Sequence, residues 1–155
     1  MILQRVFSPK SIVLDLQSQD KDELFEEMLQ AALTMQPDIN RDEVVEALQV
    51  REAKMTTGIL PQIAVPHCSI DTVRGIVGSL GISRRGIDYG SLDGKPVHYV
   101  FMMLCSASED ALHLEALKDL ATALKNPLFI KELSEKKSAE DVYDLLGKAD
   151  FFYAD

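Results

Sequence analysis

Cysteine is almost missing from this chain. Its two residues of that type, Cys68 and Cys105, are far apart and show no C-x-x-C spacing, so neither a disulfide framework nor a zinc finger is indicated. Long apolar runs are missing as well. No segment approaches the roughly 18 to 20 apolar residues that span a bilayer, and the opening MILQRVFSPKSIVLDL lacks the basic start and apolar stretch of a signal peptide. The expected location is the cytoplasm. Positive charge is scarce too, with 16 Lys and Arg against 25 Asp and Glu and a formal net charge of -9. Its longest basic runs are Arg84-Arg85 and Lys136-Lys137, which give a phosphate backbone no footprint and argue against nucleic acid as a partner. The acidic balance suits ordinary solubility or the steering of a basic protein partner. Gly/Ser linkers, repeats and low-complexity tracts are also absent. Residues 1–155 therefore read as a single domain, and a 46% hydrophobic content supplies one sizeable core.

What is present is alternation between strand-like and helix-like patterns. Ile12 to Leu16 reads as a first strand. Asp20 with Glu23 has capping-box spacing ahead of a helical stripe of Leu24, Phe25, Met28, Leu29, Ala32 and Leu33, which predicts a helix over about 21–35. Asn40 with Glu43 repeats the signal, and the helix that follows should end near Arg51 or Ala53. Three β-branched runs come next, at 63–65, 76–82 and 97–104, and the near-continuous apolarity of the last marks it as central. The stretch 85–96 is rich in turn residues and reads as a surface connection. Helices are expected over about 110–125, after Asn126-Pro127, and from Ser138 through Leu146. This order predicts an α+β fold with three layers, α/β/α: a mixed central sheet of about four or five strands with helices on both faces.

Three histidines carry the candidate chemistry. Pro66 fixes its own φ and pushes Val65 toward extended backbone, so His67 should sit where a short strand stops, either as a rigid reactive imidazole or simply as a polar strand end. His113 shares a helical stripe with Leu117, Leu120, Ala121 and Leu124 and should face inward, where a satisfied core histidine is the plainer alternative. His98, within the buried-looking strand, reads as structural or as a strand-end surface residue. Cys68 reads as a small filler beside His67.

Arg51-Glu52, then Thr57-Gly58, then Ile63-Ala64-Val65-Pro66-His67, followed by His113-Leu114 and a Leu/Ala-rich helix, resembles the fructose and mannitol type of enzyme IIA of the bacterial sugar phosphotransferase system. The resemblance covers almost the whole chain. It implies a cytoplasmic phosphotransferase, a histidine phosphocarrier that takes a phosphoryl group from phospho-HPr and passes it to a IIB protein or domain, and so indirectly to a membrane IIC, for sugar uptake. It assigns phosphorylation to His67, a second active-site role to His113, and stabilisation of the phosphoryl oxygens to Arg51. Thr57 could add a hydroxyl and Gly58 a backbone N–H, unless both merely form a turn. Arg51 could equally serve as a cation at its helix C-terminus. No metal or cofactor is implied. A regulatory relative, the nitrogen-type IIA, whose phosphorylation state controls binding to a target protein, is the alternative; a scaffold that is never phosphorylated is a third possibility.

One segment departs from the family. Relatives usually carry T-G-I-G-x-G, whereas this chain reads Thr57-Gly58-Ile59-Leu60-Pro61-Gln62. Losing two glycines and gaining Pro61 should stiffen the loop and cover part of the rim with Leu60.

Overall fold

The computed structural model describes residues 2–148; of the single unit expected over 1–155, residue 1 and residues 149–155 lie outside the described part. After a short first strand come two helices, a run of strands and three closing helices, the order that the sequence pattern predicts. The elements are α1 (Ile2–Val6), a 3-10 turn (Pro9–Ser11), β1 (Ile12–Val13), α2 (Lys21–Leu33), α3 (Arg41–Lys54), β2 (Ile63–Ala64), β3 (His67–Ile70), β4 (Ile76–Ile87), β5 (Val97–Ser106), α4 (Asp110–Leu124), α5 (Pro127–Glu135) and α6 (Ala139–Gly147). The helices start where side chains can accept otherwise unpaired backbone N–H groups: Asp20, Asn40, Asn126 and Ser138 each accept from a residue in the first turn. Pro127 occupies the first turn of α5, where its missing N–H costs nothing.

The strands form one mixed sheet, β1-β4-β5-β2, with β3 also paired to β5. β4 and β5 are antiparallel, while β1 runs parallel to β4, and β2 and β3 run parallel to β5. The central position of β5 matches its continuous apolarity, with Val100 to Cys105 fully buried. One core, on one side of the sheet, joins Leu3, Val6 and Phe7 to Leu120, Phe129, Leu133 and Leu146. The other joins Leu24, Phe25, Met28 and Leu48 to Ala64, Cys68 and Leu104. Helices on both faces follow from two buried surfaces, and the expected three-layer α+β architecture is what the chain adopts.

β2 and β3 are two pieces of one line. Ile63 pairs with Tyr99 and His67 with Met103 at the same offset, so the ladder is interrupted at Val65-Pro66 without slipping. Pro66 has no N–H to give, yet its carbonyl still accepts from Met103 N at 3.0 Å. His67 therefore opens a strand where the sequence reading had it close one. Alternation along this line sends Ile63, Val65, His67 and Ser69 toward the α4 side and Ala64, Cys68 and Ile70 toward the α3 side.

Other boundaries moved for identifiable reasons. β1 is only two residues long, though Leu16 N rejoins Ile82 O at 3.0 Å. β4 continues through Arg84-Arg85 to Ile87, past a register shift between Ile82 and Ile87, so part of the expected surface connection is strand. Tyr89, in the same stretch, is fully buried. α1 is too short to show a periodic pattern, although Ile2, Leu3 and Val6 are buried.

Gln62, in the departing segment, has φ 68°, the left-handed region that a family glycine would occupy without strain. Its carbonyl accepts from both His98 N and Tyr99 N, at 2.8 and 3.0 Å, which holds the residue in place at the entry to β2. Replacing Gln62 with glycine should remove about 1–2 kcal/mol of left-handed strain against about 0.5–1 kcal/mol of added unfolded-chain entropy. The expected result is equal or slightly higher stability for Gln62→Gly in urea unfolding. Gln62→Val, β-branched at the same φ, should lose about 1–2 kcal/mol. A glycine variant less stable than the valine variant would overturn this account.

Candidate functional site

His67 is aimed by its own backbone. Nδ1 lies 2.8 Å from Val65 O; a carbonyl oxygen only accepts, so Nδ1 carries the proton and Nε2 holds the free lone pair. Pro66, between the two residues, keeps this short loop rigid. The His113 ring stands perpendicular to the His67 ring, with centroids 5.5 Å apart and an interplanar angle of 83°. His113 comes from the first turn of α4, and its Nδ1 lies 3.1 Å from Ser69 Oγ. The inward histidine of the sequence reading thus meets His67 across the edge line of the sheet.

Arg51 arrives from the last turn of α3. It lines one cleft with His67, Ser69 and His113, and a second, mostly apolar groove with His67, Leu60, Leu117 and Leu124. Its Nη1 donates to Met55 O at 2.9 Å, so it also serves as the helix-end cation that the sequence allowed. The two roles coexist, because a guanidinium has five N–H donors.

Thr57 and Gly58 are placed differently from a phosphoryl cradle. Thr57 is buried; its N–H donates to Glu52 Oε2 at 3.1 Å and its hydroxyl donates to Glu52 Oε1. Gly58 N donates to Thr56 Oγ1 at 3.0 Å. Both sets of donors are already engaged. Gly58 is required for space, since a Cβ there would stand 2.9 Å from Ser91 Cβ. Thr57 gives both of its donors to the buried Glu52 carboxylate and Gly58 gives its N–H to Thr56, so of the two readings the sequence left open the turn is the one these contacts match.

Glu52 is the residue that sequence reasoning passed over, apart from its place in the Arg-Glu pair. It is 6% exposed and accepts from Thr57 and from Tyr89 OH, the latter at 2.6 Å. Burial and the neighbouring Glu52 carboxylate push the Tyr89 phenol far up, so it stays a donor. Ser69 was also missed, and only its two-residue spacing from His67 could have signalled it. His98 takes a structural part, with Nδ1 2.8 Å from Ser83 O. Cys68 faces the opposite core, and burial pushes its thiol up to about 12.

Burial depresses the pKa of His67 below its ordinary value, and the Arg51 charge adds to this, while the Val65 bond and Glu52 oppose it. His113 is depressed by burial and by His67, against Asp110. Both rings are therefore neutral at pH 7, which suits one to attack and the other to donate a single N–H. Among the described residues, no helix is long and apolar enough to cross a membrane.

Residues 5–149 match the family model for the phosphoenolpyruvate-dependent sugar phosphotransferase system, EIIA 2. The chain is 33% identical over 97% of its length to the fructose-specific EIIABC component of Bacillus subtilis, of which it spans 24%. It is 30% identical to the nitrogen regulatory protein of Bradyrhizobium diazoefficiens, covering 95% of each. Its fold superposes on the nitrogen regulatory protein IIA-Ntr of Neisseria meningitidis with a TM-score of 0.86 at 29% identity, covering 94% of this chain and 99% of that one.

Two outcomes test the geometry. Glu52→Ala removes the acceptor of three hydrogen bonds in a dry site and should lower stability by about 3 kcal/mol in chemical denaturation; a loss under 1 kcal/mol would contradict the network. In an NMR titration, His67 and His113 should both titrate below the ordinary histidine value of about 6.5. The unfolded chain then binds more protons in the acid range, so their contribution to stability is present above that value and is lost as pH falls through and below it. A histidine titrating above it would count against the burial argument.

Proposed function

Because the chain belongs to the EIIA 2 family of the phosphoenolpyruvate-dependent sugar phosphotransferase system, we propose that it is a phosphocarrier whose acceptor atom is His67 Nε2. The observation that carries this reading is the Nδ1 contact with Val65 O, which leaves Nε2 as the nucleophilic nitrogen of a neutral ring. The donor is the phosphohistidine of HPr. The His67 Nε2 lone pair forms the new N–P bond as the donor's N–P bond breaks, and that electron pair returns to the donor ring. Positive charge appears on the His67 ring, and the Val65 carbonyl stabilises it through Nδ1–H. In the second half-reaction a nucleophile of a IIB protein or domain attacks the same phosphorus, and the pair returns to His67.

Such transfers ask the protein mainly to align the atoms and to stabilise charge on the equatorial oxygens. Arg51 supplies guanidinium N–H groups to those oxygens, and His113 a second donor. Thr57 and Gly58 act at one remove, by fixing the segment between Glu52 and His67. Exposed Val50 and Ile59, at 54% and 51%, border the two openings beside His67 and give a protein partner apolar contacts. Delivery to a IIB for sugar uptake, and so indirectly to a membrane IIC, in the cytoplasm, is the main reading. A second reading, a nitrogen-type regulator whose phosphorylation state controls partner binding, is favoured by the end-to-end match to nitrogen regulatory proteins.

Incubation with enzyme I, HPr and labelled phosphoenolpyruvate should label the protein and leave His67→Ala unlabelled; no label on the wild type, or undiminished label on the variant, would sink the carrier assignment. Arg51→Ala should slow both half-reactions by about 10²-fold, the usual cost of one lost charge-stabilising donor. His113→Ala should still take up label but discharge it poorly. Wild-type rates in either variant would remove that residue from the chemistry. Discharge onto candidate IIB proteins separates the transport reading from the regulatory one.

A further inference from the structure

One buried polar atom in the site has no partner. His113 Nε2 is buried and unbonded, although Nδ1 of the same ring lies 3.1 Å from Ser69 Oγ. Buried unpaired polar groups are uncommon, and at a reaction centre the missing partner can be a group that arrives with the substrate. A phosphoryl oxygen is an acceptor only, so Nε2 can meet it only if Nε2 carries the proton. Which nitrogen of a neutral imidazole is protonated depends on the bond that the other one makes. Ser69 makes that bond. It lies two residues beyond His67 on the same line of the sheet, so alternation turns both toward α4 and His113.

We propose, on the phosphocarrier reading above, that Ser69 is a positioning residue: its hydroxyl donates to His113 Nδ1, keeps the ring proton on Nε2, and so presents a donor to the phosphoryl group on His67. A hydroxyl suits this place better than a charged acceptor. A carboxylate would hold His113 permanently protonated and would repel the incoming phosphoryl charge. The Ser69 O–H rotates freely, so the same oxygen accepts from Nδ1–H if the loaded site protonates His113. Ser69 thus keeps the ring aimed in both charge states without a change of rotamer.

Long-range proton–nitrogen NMR of the ¹⁵N-labelled protein reads the tautomer directly. The expected result is Nε2–H for His113 in the wild type, and a mixture with Nδ1–H in Ser69→Ala. Return of label from the loaded protein to unlabelled HPr should slow about fivefold in Ser69→Ala, the effect of one ordinary hydrogen bond. Ser69→Thr, which keeps the hydroxyl, should restore both readouts. An Nδ1–H tautomer in the wild type, or a tautomer and discharge rate unchanged in Ser69→Ala, would overturn the proposal. Failure of the wild type to take label would instead sink the phosphocarrier reading, while the tautomer measurement still decides the Ser69 bond.

Discussion

The hydrogen bond from His67 Nδ1 to Val65 O is the constraint on which the rest of the site depends. It exists because a proline interrupts an edge strand without changing its register, so the ladder to β5 is broken for two residues and then resumes. That one contact settles which nitrogen of His67 carries the proton and which keeps its lone pair, and it fixes the direction of the ring. Placement on a sheet edge, with α3 and α4 on opposite faces, then lets Arg51 and His113 reach it from two sides. Rigid elements supply the aim, and little is left for loop motion to arrange.

A second, buried layer supports the first. Glu52 lies next to Arg51 on the last turn of α3, and its carboxylate gathers Thr57 and Tyr89. An isolated carboxylate in that position would be costly, but one that accepts from several donors holds their segments together. The link runs onward, since Val65 N donates to Thr57 O and Leu92 N to Gly58 O. Helix end, glycine turn and reactive strand are thereby tied into one unit, and Tyr89 anchors it to the stretch after β4.

Much of this was legible in the sequence, because it rested on local signals. Side-chain caps at Asp20, Asn40 and Ser138 placed three helix starts, and continuous apolarity placed β5 at the centre. The stripe that includes His113 predicted its inward face, and the proline ahead of His67 marked a fixed imidazole. What stayed hidden depended on contacts between distant segments. Thr57 could read as a free donor because its acceptor, Glu52, becomes dry only when Tyr89 folds over it from beyond β4. Arg85 to Ile87 read as part of a turn-rich connection because an irregular strand end has no period to betray it. Ser69 carried no signal beyond its two-residue spacing from His67 until α4 brought His113 to it.

The left-handed backbone at Gln62 has a consequence for how such a protein can diverge. Its carbonyl is clasped by two consecutive amides of β5, so the path of the chain there is held by the neighbouring strand even against the strain of a side chain. Ile59 and Leu60 are free to change under that roof: one projects into solvent, and the other lines the apolar groove next to His67. Recognition can drift along this short arch while the imidazole beneath keeps its aim, so a change of partner need not begin with a loss of chemistry.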